Sequence, residues 1–248
     1  MLSLSFTAAR GADGSHAGTA TIAEQYLLAA ANQERMARGL SELRRDPQLA
    51  MAAAGHARVM AAREGISHQF AGEAELTSRG ARAGVGFSVI SENVAQAPSV
   101  VQIHDMWMHS EHHRGNLLDP AIDSAGISVV ERGGELYAVE DFAKTVRAMS
   151  LTAQEGAIGS LLAGPVALVN DAESVAAARE TCATSTGYAG TRRPWFIMRF
   201  TSGSLDRLPE TLTSKMASGK YREASVGACA GKAAGGFTAY SFAVLLYP

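Results

Sequence analysis

The sequence is short of several things, and each shortage closes off a class of protein. Only two cysteines occur in 248 residues. Neither sits in a CxxC or Cys/His spacing, so nothing supports a finger-type zinc cluster. Basic residues are not in excess: 22 Lys and Arg face 24 Asp and Glu, for a formal charge of −2. That balance lacks the basic footprint required for nucleic acid or anionic lipid. No apolar run approaches the roughly 18–20 residues of a membrane-spanning helix, and the longest, Ala233–Pro248, is interrupted by Gly, Thr and Ser. No serine lies in a GxSxG elbow, so nucleophilic catalysis of that kind has no support. No internal repeat is visible. With 47% hydrophobic residues and 7 prolines, the chain reads as a soluble globular protein of one large or two modest domains.

What is present is unevenly divided. Residues 1–150 carry a net charge of −4 and residues 151–248 carry +2. All seven histidines (16, 56, 68, 104, 109, 112 and 113) fall in the first part, and both cysteines, Cys182 and Cys229, in the second. Imidazole is the commonest side chain for metal binding and proton transfer near neutral pH, so any such chemistry is expected in the first half. On spacing alone the cysteines are open to two readings, free buried thiols or one disulfide closing a long loop. The opening Met1–Ala12 reads either as the end of an apolar export segment or as an ordinary flexible leader.

Hydrophobic periodicity predicts helices over Ile22–Arg38, from Asp46-Pro47 to about Glu64, over Glu73–Ala83, from Pro98-Ser99 to Trp107, and over Ser110–Leu118. Phe87–Gln96 reads as a strand containing a Glu-Asn pair. Ala125–Glu131 and Glu135–Phe142 read as a hairpin turning at Arg132-Gly-Gly. In the second half, helices are expected over Leu151–Leu162, Asp171–Cys182 and near Leu208–Ala217. Strands are expected over Trp195–Thr201, Glu223–Cys229 and Phe237–Tyr247, with a boundary near Thr145–Ser150. Arg192-Arg193-Pro-Trp195 reads as a loop entering a strand.

Four places carry polar groups suited to chemistry. His68 lies in a loop directly after a helix. Glu92 is embedded in an apolar strand, where a carboxylate is costly unless paired; a cation, a metal or a protonated histidine would satisfy it, and exposure to solvent is the structural alternative. His109 and His113 are i and i+4, which on one continuous helix would share a face and make a metal pair, although the order differs from HExxH. At Glu140-Asp141 strand alternation is expected to expose one acid and turn the other inward.

In order, these segments resemble the CAP superfamily (cysteine-rich secretory proteins, antigen 5, pathogenesis-related 1; SCP domains), in its short bacterial branch. The resemblance rests on Asn32-Gln-Glu-Arg35, His56-Ala57, Ser67-His68, Ser91-Glu92-Asn93-Val-Ala, Trp107 through His113 to Asn116-Leu-Leu, Gly126-Ile-Ser-Val, and Tyr137-Ala-Val-Glu-Asp141-Phe142. It implies an α-β-α sandwich CAP domain over 21–146, after a leader or signal remnant at 1–20. A smaller α+β region of unknown role follows over 147–248, making the whole chain α+β. It further implies a surface cleft containing His68, Glu92 and His113. Where the family has a second glutamate, this sequence has Ser110, with Glu111 adjacent; Ser91 and His112 stand where glycine is usual.

Two imidazoles and a carboxylate would suit zinc or another divalent metal, with His68, His113 and Glu92 as ligands. The family's range also admits small-molecule, lipid or glycan ligands. The alternatives are a zinc-dependent hydrolase of peptide or cell-wall substrate, with Glu92 as the candidate general base, and a non-catalytic interaction module. Family members are predominantly exported, which favours an extracellular or periplasmic location and a Cys182–Cys229 disulfide.

Overall fold

A computed structural model of the chain describes residues 19–230 and 235–248. Most of the expected leader therefore lies outside the described residues. The first half begins with α1 (Ile22–Met36), started by a reciprocal capping box between Thr21 and Glu24. A two-residue strand β1 (Arg44–Arg45) leads into α2 (Pro47–Arg63). There Asp46 accepts from the backbone N–H groups of Gln48 and Leu49, and Pro47 supplies a first residue already set for a helix. Next come α3 (Leu76–Arg82), β2 (Phe87–Ala97), α4 (Val100–His109), α5 (Glu111–Leu117), β3 (Ser124–Arg132) and β4 (Glu135–Thr145). The strands form one sheet in the order β1-β3-β4-β2, with β1 parallel to β3 and the other pairs antiparallel.

Helices cover both faces of this sheet. On one face Ala53, Ala57 and Met60 of α2 pack on Val94, Tyr137 and Val139. On the other, Leu27 of α1 and Ile103 and Trp107 of α4 pack on Ala95, Ala97, Ile127 and Ala138. Two-sided burial corrects one expectation. Glu140 and Asp141 point to opposite faces, yet both are fully buried, because neither face of β4 meets solvent. The family-like Asn32 and Arg35 are structural. Asn32 exchanges hydrogen bonds with both backbone groups of Leu43, and buried Arg35 donates to the carbonyls of Ser41, Leu117 and Asp119.

The second half has α6 (Leu151–Leu162), β5 (Ala167–Leu168), α7 (Ala172–Ala183), β6 (Phe196–Ser202), α8 (Glu210–Ala217), β7 (Glu223–Cys229) and β8 (Tyr240–Tyr247). Its sheet runs β5-β7-β8-β6, with β5 parallel to β7 and the rest antiparallel. This is the order and polarity of the first sheet. The layers repeat too: α7 packs on Ala243, Leu245 and Tyr247, while α6 and α8 pack on Val226, Phe242 and Val244. Several details recur as well. Asp171 caps α7 as Asp46 caps α2. Glu155 Oε1 accepts from Ala228 N–H on β7 as Glu24 Oε1 accepts from Val129 N–H on β3. A β-carbon on Gly126 would lie 2.2 Å from the backbone of α2, and one on Gly227 2.1 Å from that of α7. The chain thus contains the same architecture twice. Cys182 and Cys229 form a disulfide joining α7 to β7.

The halves are stitched together at β2. Thr238 N–H donates to Phe87 O at 2.7 Å, and Phe237 meets Phe87 edge-on. Among the described residues no helix is long and apolar enough to cross a membrane.

Candidate functional site

The site forms where β2, α5 and the loop after α2 meet. β2 carries Glu92 on its α2 face and Asn93 on the opposite face. Asn93 donates to the His113 carbonyl at 3.0 Å, while Asn116 donates to the Glu92 carbonyl and to Asn93 Oδ1. These bonds tie α5 to β2 and bring His113 beside the cleft. Trp107 Nε1–H donates to the Val94 carbonyl and fixes α4 to the same strand. His68, Gln69, Leu76, Ser91, Glu92, His112 and Asn116 line a cavity of about 320 Å³.

Glu92 is buried and paired, as a carboxylate in an apolar strand must be. Its Oε1 meets His68 Nδ1 at 2.9 Å, and its Oε2 meets the buried Arg79 guanidinium. The His68 side chain is 55% exposed, and its other ring nitrogen, Nε2, has no hydrogen-bond partner among the described residues. The hydrogen bond to Glu92 raises the His68 pKa against the opposing effect of partial burial. His113 moves the other way: burial lowers its pKa, and the neighbouring His112 and His68 lower it further. Its ring nitrogens make no hydrogen bond among the described residues. Asp141, behind Glu92, is pushed well above the usual carboxylate range by burial and then by the charge of Glu92, with Arg79 opposing.

The expected residues divide sharply. His68 and Glu92 meet; His113 feels the charge of His68 but does not line the cavity, to which its neighbour His112 contributes instead. The His109–His113 pair does not form. Ser110 closes α4 and starts α5 with extended backbone angles (φ −89°, ψ 121°), so the two histidines are not on one helix. His109 is exposed and bonds to Asp105. Ser110 serves as the cap of α5, accepting from His113 N–H, and Glu111 is exposed in the first turn of that helix. Neither lines the cleft.

Two imidazoles suit zinc by ligand type. Among the described residues, however, no group of three His, Cys, Asp or Glu is arranged to hold a metal. Both oxygens of Glu92 are already engaged. Sequence reasoning missed Arg79, Glu73 and the role of His56. Buried His56 places Nδ1 2.7 Å from Glu73 Oε1 and donates from Nε2 to the Ser67 carbonyl. Arg79 lies in a short helix without apolar periodicity, so no local pattern marks it for burial.

Residues 28–142 match the cysteine-rich secretory protein family, CAP. Residues 28–142 are a CAP domain. The uncharacterized protein YkwD of Bacillus subtilis (strain 168) is 27% identical over 111 residues, which is 44% of this chain and 43% of that protein. The chain thus spans under half the length of that relative. A solved extracellular protein containing an SCP domain, from Bacillus anthracis str. Ames, shares 28% identity over 49% of this chain and 40% of its own, with a TM-score of 0.46. The structure of Na-ASP-1 aligns over 95% of this chain and 91% of its own, at 10% identity and a TM-score of 0.46. Within the CAP domain the cleft lies at the sheet's β2 edge, and the second half has no histidine to offer a counterpart.

Proposed function

We propose that the chain is an exported CAP protein whose cleft binds a divalent metal or a small polar ligand through His68 and His113. The observation that carries this reading is the Glu92–His68 pair. A carboxylate accepting from Nδ1–H fixes the ring and leaves the Nε2 lone pair as the outward donor atom, the usual second partner of a metal-binding histidine. The neutral form favoured at His113 is also the form that donates a lone pair. Two protein ligands leave the remaining positions of a zinc ion to water or to a bound molecule. A disulfide in the second half suits a protein that works in an oxidising compartment.

The hydrolase reading has less to stand on. With one oxygen held by His68 and the other by Arg79, Glu92 is arranged to orient a ring rather than to take a proton from water. Calorimetric titration of zinc into the protein, beside a His68→Ala/His113→Ala variant, tests the proposal. Saturable binding that the variant loses is the expected result. No binding, or binding that the variant keeps, would sink it, and the cleft would then be tested with glycans and lipids.

A further inference from the structure

One guanidinium holds both the backbone of His68 and the group that orients its ring. Arg79 Nη1 donates to the His68 carbonyl at 3.1 Å and to the Ala74 carbonyl at 3.3 Å. Its Nη2 donates to Glu92 Oε2, while Glu92 Oε1 meets His68 Nδ1. The rest of the loop is strapped to the same buried set. Ser67 is held through its carbonyl by His56, Gln69 donates to the Glu73 carbonyl at 2.9 Å, and Phe70 N–H donates to Glu73 Oε2 at 3.1 Å. Every residue from Ser67 to Phe70 is therefore attached to a side chain or carbonyl of one buried cluster, although the loop itself is largely exposed.

We propose that Arg79 is a positioning residue that decides which nitrogen of His68 faces the ligand; the proposal rests on the cleft reading above only for what that ligand is. A neutral histidine free in water favours the tautomer with the proton on Nε2. At this site the carboxylate accepts from Nδ1–H, which reverses that preference and turns the lone pair outward. The reversal depends on Glu92 keeping an oxygen toward His68, and Arg79 keeps it there by claiming the other one. A planar fork with several donors in fixed directions can hold a carbonyl and a carboxylate at once; a lysine ammonium is a point charge on a flexible stem.

The test reads the tautomer directly, by ¹⁵N NMR of the imidazoles in zinc-free protein at a pH where His68 is neutral. The wild type is expected to carry its proton on Nδ1. Arg79→Lys is expected to shift His68 toward the Nε2–H form and to weaken zinc binding by roughly 10–100-fold, the usual range for outer-shell partners. Glu92→Gln gives an independent arm should the lysine variant fail to fold. Arg79 would claim the carboxamide oxygen, turn the NH₂ toward Nδ1 and drive His68 fully to Nε2–H. A purely structural arginine would change the unfolding midpoint and leave the tautomer alone. A folded Arg79→Lys protein with the wild-type tautomer, or a Glu92→Gln protein that keeps Nδ1–H, would overturn the proposal. If the wild type binds no zinc, the cleft reading fails while the tautomer still decides the role of Arg79.

Discussion

At the scale of single residues, the CAP domain holds more buried acid than it pairs. Glu140 is fully buried and neither of its oxygens has a hydrogen-bond partner among the described residues. Burial raises its pKa from 4.5 to about 8. Below the lower value both folded and unfolded chains hold the proton, so the group is neutral to stability. Between the two values the folded chain binds more protons than the unfolded one. Stability must therefore fall as pH rises, by up to about 1.4 kcal/mol per pH unit, and the full loss is present above the folded pKa. Glu140→Gln keeps the shape and removes the titration. Urea unfolding at about pH 5 and about pH 8 should show the wild type losing a few kcal/mol more than the variant across that interval. Parallel behaviour of the two proteins would mean that Glu140 is ionised and satisfied in the fold. The sequence could show that Glu140 and Asp141 face opposite ways. It could not show that both faces are roofed, because that depends on α2 and α4 reaching the same strand from distant parts of the chain.

At the scale of elements, local chemistry was largely sufficient to place the helices and strands. Asp46-Pro47 gives the start of α2 to the residue, and Arg132-Gly-Gly gives the hairpin. The His109–His113 pair failed for an equally local reason, since a serine that caps one helix ends another. The short strands β1 and β5 escaped because two residues carry no periodicity. His68 and Glu92 stand out as a loop histidine and a carboxylate in an apolar strand, and the family resemblance joins them into one cleft, whereas Arg79, Glu73 and His56 form a cluster that only the folded chain assembles. Close packing of an element can be tested at the glycines. A β-carbon at Gly126 would strike the backbone of α2 and one at Gly227 that of α7, neither of which yields as a side-chain tip would. Gly126→Ala and Gly227→Ala should each cost about 1–3 kcal/mol or more by overpacking, measured by chemical unfolding. A change below about 0.5 kcal/mol, the range of ordinary surface substitutions, would show that the helices stand further off.

At the scale of the whole molecule, one architecture occurs twice. The repeat was invisible in the sequence because what recurs is strand order, polarity and layering, carried by different residues; Ala53, Ala57 and Met60 on one side have Ala178 and Cys182 as their counterparts in role. Only the first copy carries histidines. The second carries the Cys182–Cys229 bond, which closes a loop of 47 residues. Reducing it should cost about 2–4 kcal/mol in the chain-entropy picture. That loss should appear in the unfolding of residues 151–248 and leave the imidazole signals of His68 and His113 unchanged. Disturbance of those signals on reduction would show that the second half shapes the cleft.

The central claim is that, of seven histidines, His68 and His113 together form the binding site. Zinc titration followed at every imidazole by NMR puts that claim to its most direct test. The account predicts that the resonances of His68 and His113 move together and saturably, with His56, buried between Glu73 and Ser67, staying in place. Movement confined to His109, exposed at the end of α4, or no saturable movement at His68, would contradict it.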